Sequence, residues 1–327
     1  MQTTGPAVAV DGLTKRYGDL VAVAGVDFSV HAGEVFGFLG PNGAGKSTTI
    51  SMLCTLVQPT SGSARVAGFD VVHQRDAVRR NIGLVFQDQT LDVYLTAEQN
   101  LRMHAELYGV RRSALDERLA LVLDMVDLTD RRKSLVSTFS GGMRRRLEIA
   151  RGLLHSPAVL FLDEPTVGLD PQTRSSIWRY VHELRRREDV TIFLTTHYMD
   201  EAEHCDRIAI MDHGRIVAID TPESLKAAVG KDRVQISTED DEAAMAALRD
   251  RFDVTPVLAE GQVTFAIAGG EGFVPRLFAE LGVPIRSVSV SRPSLDDVFM
   301  SYTGSTIRDA ESAGNSNQWL RMMAGRR

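Results

Sequence analysis

The chain has 327 residues, 43% of them hydrophobic and 24% charged, and its 43 acidic against 37 basic side chains give a formal net charge of −6. That size allows two domains, the acidic balance argues against a nucleic-acid partner, and two distant cysteines, Cys54 and Cys205, exclude a disulfide framework and suit a reducing cytoplasm. The opening MQTTGPAVAV lacks the features of a signal peptide, and no apolar run reaches the roughly 18 residues of a membrane span, so any membrane role is expected to run through a partner.

From about residue 8 to 40 the sequence alternates in the β manner: VAVDGLTKRY, VAVAGVDFSV and, after His31-Ala32-Gly33, GEVFGFLG. An antiparallel β subdomain is expected there. The apolar run 35–39 feeds directly into GPNGAGKSTTI, and a helix is expected from Ser47 to about Leu56. PTSG reads as a turn, SARVAG as a short strand and IGLVFQ as a buried one. Between about 96 and 155 the period turns helical, and Thr96 with Gln99 three residues later makes a capping box. Strands return at 158–165, 190–197 and 207–220, the last broken at His213-Gly214. The order predicts an α/β parallel-sheet core interrupted by a helical subdomain.

Thr221-Pro222 is an N-cap with Pro at the first helical position. Beyond about 230, RVQIS, EAAMAALRDRF, VTPVLAE, QVTFAIA, FVPRLFAEL and IRSVSVS read as strand, helix, two strands, helix and strand. This predicts a small C-terminal α+β domain of ferredoxin-like kind over 231–304, followed by a loose polar tail over 305–327.

GPNGAGKST matches G-x-x-x-x-G-K-[ST], a P-loop between a strand and a helix. Its residues Gly40, Pro41, Asn42, Gly43, Ala44, Gly45, Lys46, Ser47 and Thr48 would cradle the phosphates of ATP. Lys46 would supply charge to the β and γ oxygens, and Ser47 a hydroxyl to Mg²⁺. VLFLDEP is an apolar strand ending in two carboxylates. Asp163 at its tip suits Mg²⁺, and Glu164, facing the other way, suits the polarisation of an attacking water. His197, closing TTH, could contact the γ-phosphate. Gln87, closing LVFQ, carries a weak signal alone. A second anion-seeking loop opens FSGGMRRRLEIARGLL, where Ser140, Gly141 and Gly142 start a helix with no lysine to finish a nucleotide site.

Taken in order, Tyr17, the P-loop, Gln87, FSGGM, LDEP, GLD and His197 resemble the motifs of ATP-binding-cassette (ABC) ATPases, over about Leu13 to Asp220. The resemblance implies a P-loop NTPase core in which Tyr17 stacks on adenine and Gln87 reaches Mg²⁺ and signals to a transport partner. It further implies that SGGM is the signature loop and that Asp170 lies at a dimer interface. Phe139 and Met143 depart from the usual Leu and Gln but leave Ser140, Gly141 and Gly142 intact. A missing lysine then has a reason: in a head-to-tail pair, a homodimer or a pairing with a different cassette, the 140–142 loop of one subunit would cover the ATP on the P-loop lysine of the other, Lys46 in this chain.

RPSLDDVFMSYTG, GGMRRRLEIARGL and PTVGLDPQTR resemble cassettes of daunorubicin/doxorubicin-type drug-resistance exporters. This implies an ATP-hydrolysing subunit, at the cytoplasmic face of the membrane, that powers efflux of drugs or other hydrophobic molecules through a separate polytopic permease. A soluble, non-transport ATPase of translation or regulation is the other class. Three stretches have plainer readings. The run Arg144 to Arg146 reads as a solvated helix face, with attraction for phosphate or a partner as the sharper option. HYMDEAEHCD reads as a polar-faced helix rather than a metal site, and QWLRMMAGRR as a disordered tail rather than a membrane-grazing segment.

Overall fold

The computed structural model describes residues 5–188, 190–259 and 262–303. The tail over 305–327, with QWLRMMAGRR, lies outside the described residues. The chain forms two compact units that part at Asp220.

In the first unit β1 (Val8–Tyr17) and β2 (Leu20–Val30) form an antiparallel hairpin. The next strand, β3 (Val35–Leu39), leaves that sheet and runs into α1 (Lys46–Leu53). β4 (Ser61–Val66) and β5 (Phe69–Asp70) return to the hairpin, completing a four-stranded sheet in the order β2-β1-β4-β5. Two elements here escape a sequence reading: the two-residue β5, and α2 (Arg75–Asn81), whose RDAVRRN buries only Val78. Next come β6 (Ile82–Val85) and the helical insertion, with α3 (Ala97–Leu107), α4 (Arg112–Met125) and α5 (Gly141–Leu153). The capping box is present, for Gln99 N donates to Thr96 Oγ1 at 3.2 Å and Gln99 Oε1 accepts from Thr96 N at 2.8 Å.

The core resumes with β7 (Val159–Asp163), α6 (Pro171–Glu188), β8 (Thr191–Thr196), the short α7 (Met199–Ala202), β9 (Arg207–Asp212) and β10 (Arg215–Asp220). The six-stranded sheet has the order β10-β9-β3-β8-β7-β6, and the pairs from β9 through β6 are parallel. Every residue of β3 and β8 is buried, as expected of parallel strands covered on both faces. Phe28, Phe38 and Phe193 meet with centroids 5.0–6.0 Å apart, joining the two sheets into one apolar core. In a parallel sheet the carboxyl ends of neighbouring strands share one edge, so β3, β7 and β8 all deliver their last residues to the same place.

The second unit opens with α8 (Pro222–Val229), capped by Thr221, whose Oγ1 accepts from Ser224 N. The sequence places this helix before a boundary near 230, but it packs against α11 (Leu295–Thr303) and belongs with the second unit. Between them run β11 (Asp232–Thr238), α9 (Asp241–Phe252), β12 (Val257–Ala259), β13 (Gln262–Ile267), α10 (Gly270–Glu280) and β14 (Ile285–Ser291). The antiparallel order β12-β13-β11-β14 with this β-α-β-β-α-β succession is the ferredoxin-like arrangement. Among the described residues, no helix is long and apolar enough to cross a membrane.

Candidate functional site

The loop from β3 into α1 is shaped by backbone. Gly45 sits at φ 106°, and a Cβ there would meet Ala22 O at 2.5 Å, so no other residue fits. α1 starts with no side-chain cap and no acidic residue in its first turn. Its first N–H groups and positive dipole end therefore suit an anion. Lys46 is 4% exposed; its Nζ donates to Gly40 O at 2.7 Å and Pro41 O at 3.1 Å and lies 3.4 Å from Glu164 Oε1.

β7 brings Asp163 to the same edge, where its register partner is Thr195 at the end of β8. Asp163 Oδ1 accepts from Thr195 Oγ1 at 2.5 Å and from Ser47 Oγ at 3.1 Å. Two hard oxygen donors side by side next to a phosphate cradle suit Mg²⁺, which commonly takes one or two carboxylates plus phosphate oxygens rather than a protein cage. Among the described residues no group of three or more His, Cys, Asp or Glu gathers as such a cage.

Glu164 is a buried residue in the left-handed region, at φ 45°. A non-glycine residue held there stores strain of roughly 1–3 kcal/mol, and such residues cluster at working sites. Its N–H donates to Thr195 Oγ1 at 3.0 Å. His197 Nδ1 approaches Glu164 Oε1 at 3.4 Å, the same oxygen that faces Lys46. Burial pushes the Glu164 carboxyl up, but His197 and Lys46 together outweigh it and hold the group below the usual carboxylate range. A carboxylate held in that way suits the acceptance of a proton.

Other expected residues form a second cluster. Ser140 caps α5, its Oγ accepting from Met143 N at 3.2 Å. A Cβ on Gly142 would lie 2.3 Å from Thr173 Cγ2, so the helix start can approach α6 only without a side chain. Thr173 in turn holds Asp170, whose carboxylate accepts from Thr173 N at 3.0 Å and Thr173 Oγ1 at 2.6 Å. Gln87 is exposed just past β6, beside the strand that ends in Asp163. Tyr17 is half exposed at the end of β1, with Lys15 Nζ 4.9 Å from its ring centre.

Several contributors lie inside those same motifs. Thr195 holds both acidic residues, yet TTH drew attention only to its histidine. HYMDEAEHCD is not a polar-faced helix: α7 is one turn long, and Glu201 and Cys205 are buried. The Glu201 carboxyl accepts from Thr166 Oγ1 and, at 2.7 Å, from Thr196 Oγ1. Burial raises its pKa to about 7. Nor is the arginine run a solvated face. Arg145 is 6% exposed, Arg146 donates to Val126 O at 2.8 Å and Tyr180 Oη at 3.0 Å, and Arg144 reaches Gln89 Oε1 at 3.3 Å.

Residues 23–167 match the family model described as "ABC transporter", and 221–303 match "ATP-binding protein DrrA1-3-like, C-terminal domain". The chain is 41% identical over 311 residues to the daunorubicin/doxorubicin resistance ATP-binding protein DrrA of Streptomyces peucetius, covering 91% of this chain and 92% of that protein. It is 40% identical over 308 residues to the linearmycin resistance ATP-binding protein LnrL of Bacillus subtilis, covering 91% and 99%. Among solved structures, a dimeric post-hydrolysis ATP-binding cassette bound to ADP and Pi superposes with a TM-score of 0.58 at 28% identity, covering 65% of this chain and 98% of that one.

Proposed function

The chain belongs to the ABC transporter ATP-binding family and is the ATP-hydrolysing subunit of an exporter; from that premise we propose how its residues share the work. Two copies enclose two ATP molecules, each lying on the P-loop of one protomer and under the 140–142 loop of the other. The N–H groups at the start of α1 bind phosphate oxygens, and Lys46 exchanges its contact with Glu164 for the γ-phosphate. Ser47, Asp163 and Gln87 would hold Mg²⁺, which when bound would supply positive charge against the phosphates. Glu164 takes the proton of the attacking water as the bond from the γ-phosphorus to the bridging oxygen breaks. His197 steadies the γ-phosphate, Tyr17 stacks on adenine, and Asp170 meets the partner.

The single observation that carries this reading is the meeting of Lys46, Ser47, Asp163, Glu164 and His197 at one edge of the parallel sheet, beside a helix start with no cap of its own. The cargo we propose is a hydrophobic drug or antibiotic, on the strength of the relatives' names and of a second unit that matches the DrrA-type C-terminal domain. A separate polytopic permease carries that cargo, and the chain docks at the cytoplasmic face of the membrane. Mixing separately inactive Lys46→Ala and Ser140→Arg chains tests the shared site. Partial return of phosphate release is expected, because one composite site in the mixed pair keeps both halves. No return sinks the trans arrangement.

A further inference from the structure

Arg145 makes a complete set of bonds. Its Nε donates to Pro165 O at 2.7 Å. One terminal nitrogen donates to Phe86 O and, at 3.0 Å, to Glu148 Oε2. The other donates to Asp163 O at 3.1 Å and Glu164 O at 3.3 Å. All five N–H groups of the guanidinium fork are thereby used. Glu148, 1% exposed, extends the grip, for its Oε1 accepts from Thr90 N at 2.8 Å. Burial lowers the pKa of Arg145 and Glu148 opposes the shift, but a guanidinium keeps its charge in proteins, so this is a buried ion pair.

Those acceptors are not scattered. Three are the consecutive carbonyls of Asp163, Glu164 and Pro165, and the middle one belongs to the left-handed residue. Phe86 O belongs to the residue before Gln87. Arg145 itself lies one turn into the helix that Ser140 caps. One rigid, planar group therefore touches the segment of the proposed base, the segment of Gln87 and the helix that begins at the 140–142 loop. Besides Arg145, the Glu164 backbone is held by Thr195 Oγ1, which accepts from its N–H at 3.0 Å, and by Val167 N, which donates to its carbonyl at 3.4 Å.

We propose that Arg145 is a positioning residue for ATP hydrolysis, one that fixes the Glu164 and Gln87 segments to α5 so that the base and the 140–142 loop are set by one strut. The inference rests on the reading of Glu164 as the base. Lysine cannot take its place, since a point charge with three donors cannot serve carbonyls on three sides.

The test uses the full chain and two variants. Arg145→Lys keeps a charge beside Glu148, and the pair Arg145→Met with Glu148→Leu leaves no buried charge behind. For both, kcat should fall about a hundredfold, the scale of a misplacement near 1 Å, while KM and the affinity for a fluorescent ATP analogue stay within about twofold. Merely structural damage would lower the folded fraction and nucleotide affinity with kcat. The inference is overturned if either folded variant keeps wild-type kcat, if affinity falls in step with kcat, or if neither variant folds. A Glu164→Gln control separates it from the reading beneath: Arg145 variants at full speed beside a dead Glu164→Gln sink this inference alone. A fully active Glu164→Gln sinks the base assignment.

Discussion

The two units handle buried charge in opposite ways. Among the described residues, every buried ionisable side chain of the polar set, namely Glu34, Lys46, Arg145, Glu148, Glu164 and Glu201, lies in the first unit. The second unit buries Val234, Ile236, Leu248, Val263, Phe265 and Leu277 against one face of its sheet, with Thr238 as its buried polar residue. An ion taken out of water loses several kcal/mol unless it is paired, so a fold accumulates such groups only where something else requires them. The apolar unit is built for stability; the charged one trades part of its stability for chemistry.

The sharpest way to break that contrast is Glu164→Gln. Phosphate release should drop by ~10²–10⁴, the range for losing a general base, with ATP still bound. Unchanged turnover, measured by phosphate release, would leave the buried acids without a chemical purpose. In the other unit Leu277→Ala should cost about 2–5 kcal/mol of local stability through a cavity in an apolar core. Urea unfolding reads that loss, and ATP hydrolysis by the folded protein should not change.

The smallest effect concerns Glu201, which faces Thr166, Thr196, Arg174, Asp200 and His197. Its pKa is about 7 against a usual 4.5, so folding favours the protonated form. The stabilisation is complete below about pH 4.5 and is lost as pH rises through 7, a total of roughly 3 kcal/mol. Glu201→Gln should remove that component of the slope, and a stability profile with the same slope in the variant assigns it elsewhere.

Much of both units was legible in sequence, for reasons that differ. The P-loop, the capping box at Thr96 and the Thr221-Pro222 start are local patterns whose partners lie within a few residues, so spacing alone finds them. The ferredoxin-like order was legible because each short element carried its own period. Arg145 was not, because three successive arginines read as one charged run. The available signal was helical spacing: Arg145 stands three residues after buried Gly142 and four before buried Ile149, with Glu148 three along. An opposite-charge pair on the inward face marks a buried bond network. α11 had a similar signal, for Ser294 Oγ accepts from Asp297 N at 3.2 Å and Asp297 Oδ2 from Ser294 N at 2.8 Å, a reciprocal cap before an apolar run.

The 3.4 Å contact between Lys46 and Glu164 sets a condition on what enters the cradle. A lysine already answered by its own carboxylate is weak bait for sulfate, inorganic phosphate or a stray acidic side chain. An anion that carries several negative charges in a row gains more by displacing that partner, because it meets Lys46 and the backbone amides together. Charge density, ahead of shape, is therefore expected to decide which anion separates Lys46 from Glu164.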